Sequence, residues 1–135
     1  MCGFVSVFTE ENSILDHFEN NVNHLMRLVE KRGPSEVKNS RGKNYFVSHA
    51  LLAINDHVTQ PVHSEDLMIF MNGEIYNKGA LSAKNDTEWL LKFFKEKRKI
   101  SDLDGEFIIH LFNKRDNTLT MLSDPFATKP CFIVL

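Results

Sequence analysis

Leu67-Met68-Ile69-Phe70-Met71-Asn72-Gly73-Glu74-Ile75-Tyr76-Asn77 is the stretch on which the reading of this chain turns. The five apolar residues 67–71 predict a strand, and Asn72-Gly73 predicts the turn that bounds it. Asn-Gly alone signals nothing more than a turn. Its chemical potential is that an asparagine side-chain N–H and the next glycine's backbone N–H can converge on one oxygen. Acyl transfer requires that arrangement of its oxyanion hole.

Working outward, residues 2–8 predict an opening strand. A helix is expected from Ile14 to Lys31, with Ser13 as N-cap. Leu15, Phe18, Val22, Leu25, Met26 and Val29 recur on it at three- and four-residue spacing, and Gly33-Pro34 stop it. Residues 35–43 are polar and read as a loop, and 44–54 as one or two strands. A second helix begins at Asp86, capped by Asn85 with Glu88 three residues on. Trp89, Leu90, Phe93 and Phe94 form its apolar face. Glu106–Asn113 and Thr118–Ser123 read as a hairpin about Lys114-Arg115-Asp116-Asn117, and residues 131–135 as a last strand. Phe107 to Phe112 is apolar on both faces apart from His110, so its sheet needs cover on each side. The expectation is an α+β sandwich in which helices cover stacked sheets.

With 135 residues, the chain reads as one domain spanning 1–135, and its 42% apolar and 25% charged residues are ordinary for a globular protein. The net charge is −2 with lysine and arginine scattered, so no basic stripe points to nucleic acid. No apolar run is long enough to span a bilayer, and no signal-peptide pattern opens the chain. A cytoplasmic protein with Cys2 and Cys131 unpaired is therefore expected. His49, His57 and His63 follow no metal-ligand spacing, so no metal or cofactor is expected. Cys131 reads as a packed core thiol, and Asp124 and Lys129 as braces for the loop before the last strand.

Cys2 is the loaded position. A small second residue favours removal of Met1, which would leave a thiol and a free α-amine on one carbon. An α-amine titrates near pH 8, so one residue could supply both nucleophile and base.

The chain resembles the glutaminase domain of class II glutamine amidotransferases, most of all that of asparagine synthetases. Met1-Cys2-Gly3, Arg32-Gly33-Pro34, Gln60-Pro61, Asn72-Gly73-Glu74-Ile75-Tyr76-Asn77, Asp86-Thr87-Glu88, Leu103-Asp104-Gly105 and Asp124 with Lys129-Pro130 occur in the family's order. The resemblance implies the N-terminal-nucleophile hydrolase fold, two stacked antiparallel sheets flanked by helices. It also implies a reaction in which Cys2 attacks the side-chain amide of glutamine. The γ-glutamyl thioester is then hydrolysed, releasing glutamate and ammonia, with ammonia passing to a separate synthetase or acceptor-activating partner. By motif, Asn72 and Gly73 form the oxyanion hole, while Glu74 and Asp86 meet the substrate's α-amino end.

Two departures accompany the resemblance. Leu51 stands where relatives carry the arginine that grips the glutamine α-carboxylate, and a guanidinium–carboxylate pair is not replaced by an isobutyl group. Arg32, Arg41, Lys43 or a shifted register would have to supply that charge. Otherwise Leu51, with Ile54, lines a pocket for an amide lacking a free α-carboxylate. The domain is also minimal, with only Lys78 to Asn85 between Asn77 and Asp86, and it stops before the family's last strands. A catalytically silent binding or regulatory module on the same scaffold is the third reading.

Overall fold

Alternating apolar residues at the amino end form strand β1 (Gly3–Phe8), followed by helix α1 (Asn12–Met26). One turn of 3-10 helix, Glu30–Arg32, leads into β2 (Glu36–Arg41) and then β3 (Tyr45–Leu51). The computed structural model describes residues 2–53, 58–79 and 82–134, which divide into two units, Met1–Pro61 and Val62–Leu135.

In the first unit the sheet order is β1-β3-β2, antiparallel throughout. Central β3 is buried at every position. Side chains alternate across its faces. Phe46 and Ala50 pack with Leu15, Val22 and Met26 of α1, joined by Val5, Val7 and Phe18. The Phe18 and Phe46 rings meet edge to face at 5.7 Å. The opposite face carries Phe4 and His49, stacked at 6.3 Å, and Leu51.

Three expectations change here. The helix starts two residues earlier and ends five residues earlier than its periodicity suggests. Its N-cap is Glu11, with no side-chain bond, so Ser13 lies inside the first turn. Residues 36–41, expected as loop, are strand. Their polar sequence is tolerated because β2 is an edge that leans on fully buried β3.

The second unit contains β4 (Val62–His63), β5 (Leu67–Ile75), α2 (Asp86–Lys95), β6 (Gly105–Asn113) and β7 (Thr118–Ser123), with sheet order β4-β5-β6-β7, again antiparallel. The Asn85 side chain accepts from Glu88 N–H at 2.9 Å, as the cap signal predicts. Trp89, Leu90 and Phe93 of α2 cover Ile69, Met71 and Ile75 of β5 and Phe107 and Ile109 of β6. Phe93 is fully buried, with ring contacts to Trp89 at 5.1 Å and Phe94 at 5.4 Å. Replacing it with alanine empties the helix–sheet seam. Urea unfolding of Phe93→Ala should show a loss of about 3–5 kcal/mol.

Two expectations fail in this unit. Asn72-Gly73 is no turn: β5 runs on through Ile75, paired with β6 at Asn72↔Ile108 and Gly73↔Phe107. The strand continues because Ile75 still reaches the α2 core two positions later. Residues 131–134 are not a strand, and Cys131 is exposed rather than packed, because no ladder pins that segment among the described residues. The architecture is thus α+β, two antiparallel sheets each carrying one helix. No described helix is long and apolar enough to cross a membrane.

Candidate active site

Cys2 precedes the first β1 residue and is held at both its carbonyl and its sulfur. Arg32 Nε donates to its carbonyl at 3.4 Å, and Leu52 N–H approaches its Sγ at 3.5 Å. Gly3 opposes Ala50, so its own face is the α1 face. A Cβ at Gly3 would lie 2.9 Å from Val29 Cβ and 3.1 Å from Val29 O. Glycine therefore lets the segment after α1 close against the residue following the nucleophile. By alternation Cys2 faces the other way, toward the Leu51 side of the sheet.

Of the cations weighed for the missing arginine, Arg41 and Lys43 do not stand at Leu51. Arg32 reaches the Cys2 carbonyl, its Cδ 3.5 Å from where the Gly3 Cβ would be. Arg41 is opposite Phe46 on the α1 face, bonded to Asp16 at 2.6 Å and also to Glu19. Lys43 sits in the β2–β3 turn, at the far end of β3, about 20 Å along the strand from Leu51. Ile54 and Met1 lie outside the described residues.

The second unit holds the other candidates at one strand–helix corner. Ile69, Met71 and Ile75 face α2, so Asn72 and Glu74 project from the opposite face of β5. Asn72 is 6% exposed, and its Oδ1 is buried with no hydrogen-bond partner among the described residues. An unsatisfied buried amide oxygen costs about 1–3 kcal/mol. Gly73 has φ 134°, a conformation that only glycine adopts easily, and a Cβ there would fall 1.9 Å from Glu106 O. The dipeptide's freedom thus serves a distorted strand, with the Gly73 backbone closed against β6. Glu74 is exposed.

Asp86 opens α2 and is already engaged. One carboxylate oxygen accepts from Ile75 N–H at 2.8 Å and the other pairs with the Lys78 ammonium. The Asn77 side chain clamps the same corner, donating to Asp102 O at 2.6 Å and accepting from Asp104 N–H at 3.0 Å. Neither Lys78 as partner of Asp86 nor Arg32 as anchor of the Cys2 carbonyl was recognised in the sequence. The one hint of the first is a lysine opening a short segment that ends at an aspartate.

Asp124 braces its loop, as expected: its carboxylate accepts from Phe107 and Phe126 N–H and from Thr128 Oγ1. Lys129, nearly buried, pairs with Glu106 at 2.9 Å. Glu106 lies directly opposite Glu74, so this cation offsets a like-charge strand pair. Desolvation, then Glu106 and Glu74, push the Tyr76 phenol above its ordinary range.

His110 is buried on the Asn72 face of the sheet, against Phe70 at 4.8 Å and 3.7 Å from Cys131 Sγ. Burial lowers its pKa from 6.5 to about 4. The unfolded chain therefore takes up a proton below pH 6.5 that the folded chain refuses until about pH 4. Stability should fall across that window and level off below it. Between pH 7 and pH 5 the loss from this group should be about 2 kcal/mol. Urea titrations of the protein and of His110→Phe at both pH values should show that slope removed in the variant.

Cys2 thus lies at the head of the β1-β3-β2 sheet, and Asn72-Gly73 within β5. Residues 1–134 match the glutamine amidotransferase domain model. The chain is 31% identical over 151 positions to asparagine synthetase [glutamine-hydrolyzing] 1 of Bacillus subtilis (strain 168), covering 98% of this chain and 24% of that protein. It is 28% identical to asparagine synthetase [glutamine-hydrolyzing] of Zea mays, covering 98% of this chain and 25% of that protein. The chain belongs to the glutamine amidotransferase domain family. It spans about a quarter of the length of these relatives.

Proposed function

We propose that this domain is an N-terminal-nucleophile amidohydrolase that releases ammonia from the side-chain amide of glutamine, for use by a synthetase or other acceptor-activating partner. After removal of Met1, the α-amine of Cys2 takes the thiol proton as Sγ attacks the amide carbon. Asn72 Nδ2 and the Gly73 N–H stabilise the oxyanion. The C–N bond breaks, and the leaving nitrogen takes that proton and departs as ammonia, leaving a thioester. Water, deprotonated by the same amine, then cleaves the thioester to glutamate and restores the thiol. Glu74 and Asp86 receive the substrate's ammonium, which takes the place that the Lys78 ammonium holds on Asp86.

One observation carries the reading. In a chain of this family, Cys2 is held at both its carbonyl and its sulfur at the head of β1. The experiment is N-terminal mass analysis of the expressed protein, followed by assay of glutamate and ammonia from glutamine. A glutamine-mimicking electrophile should add one equivalent to Cys2. Protein with Met1 fully removed that neither labels nor releases ammonia from any amide would be a binding module, and the proposal would be rejected.

A further inference from the structure

The strand–helix corner of the second unit bears on which end of a substrate it accepts. Asp86 is held on both sides. Its Oδ2 accepts from Ile75 N–H at 2.8 Å, and its Oδ1 carries the Lys78 ammonium. It is also the first residue of α2, where the helix dipole favours a negative charge. The carboxylate is therefore fixed, with a side chain only 18% exposed. Lys78 is the looser partner, its side chain 40% exposed on a flexible four-carbon stem. The backbone just before it is pinned. Asn77 donates to Asp102 O and accepts from Asp104 N–H, and Tyr76 N–H donates to Asp104 O at 2.8 Å. Just after it, Gly79 has open space where a Cβ would stand. The ammonium can thus swing out to water while the carboxylate keeps its place.

An incoming ammonium meets a carboxylate that already has its cation. Two ammonium groups on one carboxylate oxygen stand close enough to repel. The newcomer therefore gains Asp86 only as Lys78 leaves it, and the net gain is the difference between two similar ion pairs. A partly exposed ion pair is weak, so the exchange is open. The resident cation is nevertheless tethered, at an effective concentration on the order of millimolar. A free ammonium must outcompete that tether, whereas a substrate without an ammonium need not.

We infer that Lys78 is a specificity-determining residue: its ammonium stands in for the substrate's on Asp86, competes with the α-ammonium of glutamine, and leaves amides without an α-amine unaffected. This rests on Asp86 receiving the substrate's ammonium in the amidohydrolase proposed above. The competition raises KM for glutamine and leaves kcat alone, since binding lost equally by substrate and transition state changes KM.

The test compares L-glutamine with 4-carbamoylbutanoate, which has the same amide and carboxylate and no α-amine, on protein whose Met1 removal is confirmed by mass. Lys78→Met keeps an unbranched stem and removes the charge. It should lower KM for glutamine about three- to tenfold, keep kcat within about twofold, and leave KM for 4-carbamoylbutanoate unchanged. Lys78→Arg returns a cation to Asp86 and should return the high KM. A merely structural lysine would move both substrates together. A second measurement needs no turnover: acetylation of lysines by acetic anhydride, read residue by residue by mass, with Lys38 of the first unit as reference. Glutamine at concentrations that protect Cys2 from a glutamine-mimicking electrophile should raise Lys78 acetylation severalfold, and 4-carbamoylbutanoate should not. Equal KM changes for both compounds in Lys78→Met, no change for glutamine, or flat Lys78 acetylation while glutamine protects Cys2 would overturn this inference and leave the amidohydrolase intact. Cys2 that labels but is protected by neither compound, in the unaltered protein and in Lys78→Met, would overturn glutamine as the substrate and this inference with it. Failure of both labelling and turnover would overturn the amidohydrolase reading itself.

Discussion

Cys2→Ala is expected to lower ammonia release from any amide substrate by about 10³-fold or more, the scale on which enzymes lose rate with their nucleophile. Alanine is small enough for Met1 still to be removed, so the α-amine remains. It then lacks a thiol to deprotonate. The residue is only partly buried, and its carbonyl can still accept from Arg32. Unfolding free energy should therefore change by less than about 1 kcal/mol. Steady-state ammonia assay and urea unfolding on the same preparation separate the two effects. Undiminished turnover in the variant would remove Cys2 from the chemistry.

Asn72→Ala should lower kcat by about 10²–10³-fold with a much smaller change in KM, because a donor to the developing oxyanion acts mainly in the transition state. The stability readout carries independent information. Ordinarily, truncating a residue that is 6% exposed destabilises through lost packing. Here the truncation also removes a buried Oδ1 with no partner among the described residues, relieving about 1–3 kcal/mol. The two contributions oppose, and unfolding free energy should move by less than about 1 kcal/mol. A variant with unchanged kcat would make the unpaired amide a packing feature without a part in catalysis.

Parts of this fold are plain in the chain itself. The α2 start is legible because Asn85 and Glu88 stand three apart and the cap closes locally. The β6–β7 hairpin is legible because its polar four-residue connection separates two strand-forming segments. Strand β2 is not. Glu36-Val37-Lys38-Asn39-Ser40-Arg41 has no apolar alternation, and it becomes a strand only by pairing with buried β3. Asn72-Gly73 misleads for the same reason. The dipeptide permits a turn, but nine cross-strand pairs and the burial of Ile75 keep β5 running.

The candidate site divides along the same line. Cys2, Asn72, Gly73, Glu74 and Asp86 are candidates on the residues and the motifs around them alone. Their surroundings were not legible: Arg32 on the Cys2 carbonyl, Lys78 on Asp86, and Glu36 beside Leu51. Residue type, helical period and capping express themselves over a few positions, so composition and order suffice to reveal them. Register between distant strands, and which cation reaches which carboxylate, follow from closing the chain on itself. Those long-range pairings set the charge around Cys2 and Asp86.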